Sequence, residues 1–208
     1  MKKAWLLLWP VLVLALFTAC HDKGRQTGLQ SATPSGAATG IAEVDAVVRA
    51  VVAGDVDALL AMTSYTTVEC TTELGGGGPP LCSSVGVPPG TAVETLPIRV
   101  SESEYWPRAG VPALFKEWLG EFGLQFAGIL KPTRHPFTFS PSDTWPVPDY
   151  AVVFKPTRFP ASRGVADPDL AFAFYLLGGR IIAVQGFGIG AATLPAPDDP
   201  SWLIPPRR

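Results

Sequence analysis

Asparagine is missing from all 208 residues, so the chain offers no N-glycosylation sequon. Histidine is nearly as scarce, with only His21 and His135. One stands beside Cys20 and the other in a Pro-rich stretch, so the clustered ligands of a zinc or transition-metal site are lacking. No metal and no cofactor is expected, and His135 is expected as an exposed loop residue. Charged residues make up 16% of the chain and the formal net charge is −2. That sparse, slightly acidic balance excludes the basic surface that nucleic-acid binding requires. No G-x-S-x-G elbow for a serine nucleophile occurs. The run Gly75, Gly76, Gly77, Gly78 leads into Pro79 and Pro80. A phosphate cradle would instead lead into Lys and Ser or Thr opening a helix.

One long apolar run is present. Met1, Lys2 and Lys3 precede residues 4–19, which carry no charge. A basic start followed by an apolar stretch is the pattern of a secretory signal peptide. As a helix the run would reach only about 24 Å, short of the roughly 30 Å hydrocarbon core, so a permanent span is the poorer reading. Leu16, Phe17, Thr18, Ala19 and Cys20 close the run. This segment resembles the lipobox of bacterial lipoproteins, with Phe17 where Leu is usual. The resemblance implies cleavage after Ala19 and lipid on Cys20, which makes the membrane a partner through that lipid. It also implies an extracytoplasmic location. An ordinary cleaved signal, or an uncleaved anchor with an incidental cysteine, is the alternative. Loss of residues 1–19 removes two lysines, leaving 14 basic against 18 acidic residues and a net charge of −4.

With Cys20 assigned to lipid, Cys70 and Cys82 remain, in a setting where disulfides persist. A bridge between them would contribute roughly 3 kcal/mol by loop entropy; two free thiols are the alternative. Residues 20–40 have almost no large apolar side chains and read as a tether of about 25 Å. A globular domain is expected over 41–193, long enough for one core. A Pro-rich tail, 194–208, is expected along the surface, pinned by Trp202 and Leu203.

Ile41, Val44, Val48 and Val51 recur at helical spacing. Gly54 suits the end of that helix, and Asp55 suits the cap of a second one running to Met62. A third helix is expected over 112–119, stopped by Gly120. Extended segments are expected at 65–70, 93–100, 124–130, 150–154, 170–177 and 180–187. Gly178 and Gly179 suit a two-residue hairpin turn. Counting outward from that turn pairs Leu176 with Ile181, Phe174 with Ala183 and Phe172 with Gln185 on one face. Tyr175 with Ile182 and Ala173 with Val184 fall on the other. Both faces are apolar, which predicts a central hairpin covered on both sides. The Pro-rich stretches 131–149 and 155–169 read as solvated connections.

Two features are similar to the nuclear transport factor two-like superfamily. They are the paired helices split by Gly54 and Asp55, within residues 50–60, and the closing Gly-turn hairpin, residues 172–184. The resemblance implies an α+β fold in which a curved, mostly antiparallel sheet wraps the helices into a cone with an apolar pocket. The aromatics Tyr65, Trp118, Phe126, Phe172 and Phe174 read first as core and second as a ligand cage, and with Gln185 they are the candidate ligand contacts. The final hairpin has no Asp, Glu or His, and its polar side chains are Tyr175, Arg180 and Gln185. A non-enzymatic domain binding a small apolar ligand or a protein partner is therefore expected. The alternative is an envelope hydrolase or isomerase using Tyr65, Glu102 or Gln185. Glu102 and Glu104 beside Tyr105 and Trp106 also suit a carbohydrate contact or an ordinary strand end.

Overall fold

A computed structural model describes residues 38–73, 77–99, 103–137, 144–159, 169–188 and 193–206. The signal peptide, Cys20, most of the tether and Glu102 lie outside the described residues.

The expected helical start is found as α1 (Ala42–Ala53) and α2 (Val56–Met62). Thr39 donates its backbone N–H and its hydroxyl to Asp45 at 2.7 Å, fixing the entry into α1. At the corner the Gly54 N–H donates to Val51, and the Asp55 carboxylate accepts from Ala58 N–H at 2.9 Å. These bonds satisfy backbone groups that helix ends leave without partners. The third helix, α4, runs over Val111–Phe122 and ends at Gly123, whose left-handed φ of 54° stops it. It passes through the expected stop because Gly120 is exposed and costs only about 1 kcal/mol relative to Ala. A one-turn helix, α3 (Cys82–Val85), had no periodicity to announce it.

The described strands form one sheet of eight. They are β1 (Thr66–Glu69), β2 (Ala92–Arg99), β3 (Ser103–Pro107), β4 (Leu124–Leu130), β5 (Tyr150–Pro156), β6 (Ala171–Leu177), β7 (Arg180–Phe187) and β8 (Trp202–Ile204). The order is β1-β2-β7-β6-β5-β4-β8, with β3 paired to β2. All pairings are antiparallel except β2 with β7, where Ile98 and Arg99 meet Val184 and Gln185 in parallel. The fold is α+β with a mostly antiparallel sheet, and β6 and β7 lie centrally with both faces buried.

Two expectations need correction. The β6–β7 hairpin follows the expected register only at Leu176 with Ile181; Ile182 then bulges, and Tyr175 pairs with Ala183. Beyond the bulge Phe174 meets Val184 and Ala173 meets Gln185. An extra residue on one strand reverses the faces of everything after it. Gln185 therefore shares a face with Ala173 and Tyr175, opposite to the face of Phe172. The tail, in turn, contributes a strand: β8 pairs with β4, and Trp202 is buried while Leu203 stays exposed. Gly128 permits this approach, since a Cβ there would overlap the Ile204 carbonyl and lie 2.8 Å from the Trp202 ring.

Cys70 and Cys82 are joined by a disulfide, their Cα atoms 5.0 Å apart. Thr71 N–H donates to Pro80 and Cys82 N–H to Thr71, so backbone bonds pinch the loop beside the bridge. No described helix is long and apolar enough to cross a membrane.

Candidate functional site

The sheet has two unlike faces. Toward the helices it presents Val152, Phe154, Phe172, Phe174, Leu176 and Val184. Trp118 packs at 5.1 Å and Phe122 at 5.2 Å against Phe172, both tilted to its ring, while Phe115 meets Phe174 at 5.9 Å. Phe154 completes the layer, edge-on to Phe174 at 5.6 Å. Each contact lies within the range where aromatic pairs attract beyond simple burial. Trp118 and Phe172 thus touch across the core and Phe174 packs in the same layer against Phe115 and Phe154, the core role that is the first reading of these aromatics. Phe126 packs at its border, 6.3 Å from Phe154. Tyr65 is half-buried beside α2, with the Arg108 guanidinium 4.9 Å over its ring and Arg108 paired to Glu94 at 2.8 Å.

The opposite face is built from smaller side chains: Ala151, Val153, Ala171, Ala173 and Ala183, with Tyr175 and Phe187. Its cover is irregular chain. Residues 131–137 bring in Phe137 and His135, both buried, so the loop read as solvated is a lid on a second core. His135 stacks on Trp145 at 4.8 Å, nearly parallel, and its Nδ1 accepts the Phe137 N–H at 3.1 Å. That bond fixes the neutral ring with its proton on Nε2, which is buried with no hydrogen-bond partner. Burial lowers the imidazole pKa to about 4. The expectation of an exposed His135 is corrected accordingly: stacking on Trp145 and Phe137 outweighs its polarity.

Between this cover and the alanine-rich face lies a cavity of about 270 Å³. Its apolar wall includes Leu130, Ala151 and Phe187. Its polar wall begins with Tyr175 and Gln185, each more than nine-tenths buried. The Tyr175 hydroxyl donates to Gln185 Oε1 at 2.7 Å. Burial pushes the Tyr175 phenol well up, against an opposing pull from the Arg99 charge. Arg99 also lines the space and donates to the Pro136 carbonyl at 3.2 Å, tying β2 to the lid. Lys131 and Arg134 stand at the exposed rim. The Ser201 hydroxyl meets no partner at bonding geometry, yet it lies close enough to Asp199 to help hold that carboxyl below its usual range.

Of the sequence candidates that lie among the described residues, Gln185 alone reaches this cavity. It does so through the bulge at Ile182, which the turn-based count could not register. Tyr175, Arg99 and Ser201 were missed as site residues. One signal was available: the alternation Ala171, Phe172, Ala173, Phe174 marks one bulky face and one shallow face, and Tyr175 is the polar group on the shallow one. Arg180, the third polar hairpin residue, donates to the Ala61 and Thr63 carbonyls and closes the end of α2. No group of three metal-ligating side chains occurs among the described residues. No family model matches the chain, and neither a curated protein nor a solved structure matches it.

Proposed function

We propose that this chain is a lipid-anchored, extracytoplasmic binding module without catalytic activity of its own, which holds a small ligand in the cavity on the loop-covered face. The observation that carries this reading is the hollow of about 270 Å³ on the loop-covered face, where the buried Tyr175 and Gln185 stand beside the apolar Leu130, Ala151 and Phe187. Ligand sites are concave, mostly apolar and fitted with a few placed polar groups. Tyr175, Gln185 and Arg99 supply such groups. Among the described residues the lining holds neither a carboxylate nor an imidazole, the usual general acids and bases.

The finer fold assignment is a nuclear transport factor two-like cone. Two N-terminal helices on one face of a mixed sheet, and a closing Gly-turn hairpin, support it. In this reading the cone interior is packed as core and the ligand sits outside it. Lys2 and Lys3, the apolar run and Cys20 support the anchor, and the disulfide between Cys70 and Cys82 is consistent with an oxidising compartment.

Native mass spectrometry of the full-length chain, extracted from membranes in neutral detergent, tests both parts. The expected result is a mass lacking residues 1–19, with acyl chains on Cys20 and a non-covalent small molecule released on activation. An unmodified Cys20 overturns the anchor. A bare protein that no small aromatic probe stabilises in thermal melts overturns the ligand site.

A further inference from the structure

A groove of about 380 Å³ lies between β3 and the disulfide loop, and it shares no lining residue with the cavity described above. Pro79, Pro80 and Ser84 stand on its loop side, Glu104, Trp106 and Pro107 on its strand side. The loop side is held in place by the backbone around it. The Pro80 carbonyl accepts Thr71 N–H at 3.0 Å, the Gly78 carbonyl accepts Tyr105 N–H at 3.2 Å, and Cys82 is bridged to Cys70. The groove therefore has its shape before a ligand arrives, which lowers the ordering cost of binding.

The fold separates two aromatics that are neighbours in sequence. Tyr105 carries its ring to Phe137 and Trp145, at 6.1 and 6.3 Å. Trp106 stays half-buried beside Glu104, and its indole N–H donates to Glu104 Oε2 at 2.8 Å. That bond occupies one oxygen of an exposed carboxylate, which is the sole charge among the described residues of the lining. The side-chain donors of Trp106 and Ser84 are both spent, the first on Glu104 and the second on the Leu81 carbonyl at 2.7 Å. Pro79, Pro80 and Pro107 bring carbonyls and no N–H. The groove thus offers acceptors, one negative charge and an indole ring. An ammonium is the matching group: it carries donors, positive charge and no acceptor, and both a carboxylate and an indole attract it. A sugar, the other ligand that Glu104 and Trp106 suit, brings an acceptor with every hydroxyl, and the Trp106 and Ser84 donors are not there to meet it.

We propose that this groove is a second binding site, which takes a small organic ammonium with its N–H donors on Glu104 and its charge beside the Trp106 ring. The site does not depend on the cavity of the binding-module reading, so either can fail alone.

The full-length chain in neutral detergent is titrated calorimetrically at neutral pH and low salt with benzylammonium, benzyl alcohol and cellobiose. Benzylammonium is expected to bind about fivefold or more tightly than the alcohol, which has the same ring and no charge. Glu104→Gln keeps an acceptor oxygen and removes the charge, so it should weaken the ammonium by about threefold and leave the alcohol unaffected. Trp106→Leu should also weaken the ammonium by about threefold. Because Glu104 is exposed, its variant carries the test where the Trp106 change disturbs the neighbouring core. Ammonium and alcohol bound equally, or ammonium affinity indifferent to Glu104→Gln, overturns the proposal. Cellobiose bound more tightly than the ammonium, and still bound by Glu104→Gln, overturns it in favour of a sugar. Failure of benzylammonium to bind overturns it outright and leaves the cavity standing.

Discussion

The helix-covered and loop-covered faces of the sheet are made by the same strands yet packed on different terms. On β5 and β6, Val152, Phe154, Phe172 and Phe174 point to the helices, and Ala151, Val153, Ala171 and Ala173 point to the loops. Regular helices bring side chains at fixed spacing, so α1 and α4 interdigitate with bulky partners and fill the layer. Irregular chain has no such period. Residues 131–137, Trp145 and β8 cover the shallow face with a few large rings, and a cavity remains between them. A close-packed face holds the fold together, and a loosely covered one is where a ligand can be held.

The largest effect should come from the filled face. Phe174→Ala removes a ring between Phe115 and Phe154 and is expected to cost roughly 3–5 kcal/mol, read as a fall in the urea midpoint. A loss under about 1 kcal/mol would mean that this layer is not close-packed. On the other face, Trp202→Ala should cost roughly 3 kcal/mol, at the low end for its size because the ring borders solvent. It also removes the indole N–H bond to the Ala196 carbonyl at 2.9 Å. Because β8 pairs with β4 alone among the described strands, helix-face packing should survive, visible as unchanged near-ultraviolet signals from Trp118.

An acid limb follows from His135. Its pKa in the folded state, about 4, lies below the ordinary 6.5, so the unfolded chain binds the extra proton first. The stability associated with the neutral ring is complete above pH 6.5 and is lost as the pH falls toward 4. That loss amounts to roughly 2 kcal/mol after allowance for solvent screening. His135→Phe should flatten the limb between those values; an undiminished limb would place the cause elsewhere. The smallest effect is expected from filling the void. Ala151 is fully buried yet lines the cavity, so Ala151→Val should change stability by less than about 1 kcal/mol while weakening binding of a small aromatic probe. A cost of several kcal/mol would show that this face has no room.

Local patterns carried most of the secondary structure. The Val44, Val48 and Val51 stripe, the Gly54 and Asp55 corner, and the six expected extended segments all report interactions within a few residues. What escaped depended on distant partners. Gly120 reads as a stop until the exposed face of α4 is known. Residues 202–204 are strand-forming only because Gly128 leaves space for them on β4. His135 reads as an exposed polar residue until Trp145 and Phe137 close over it. The site was the least legible part, since Arg99, Tyr175 and Ser201 are far apart in the chain and converge only through the sheet and its tail.

The bulge at Ile182 gives β7 a residue to spare. Deletion of a single codon between those for Ile181 and Gln185 could be absorbed by straightening the strand, with Gln185 still opposite Ala173 and within reach of Tyr175. A gained codon has no such refuge and needs a second bulge or a shifted hairpin. The central hairpin therefore tolerates loss better than gain across a lineage, and the amide–phenol pair is inherited more robustly than the spacing that leads to it.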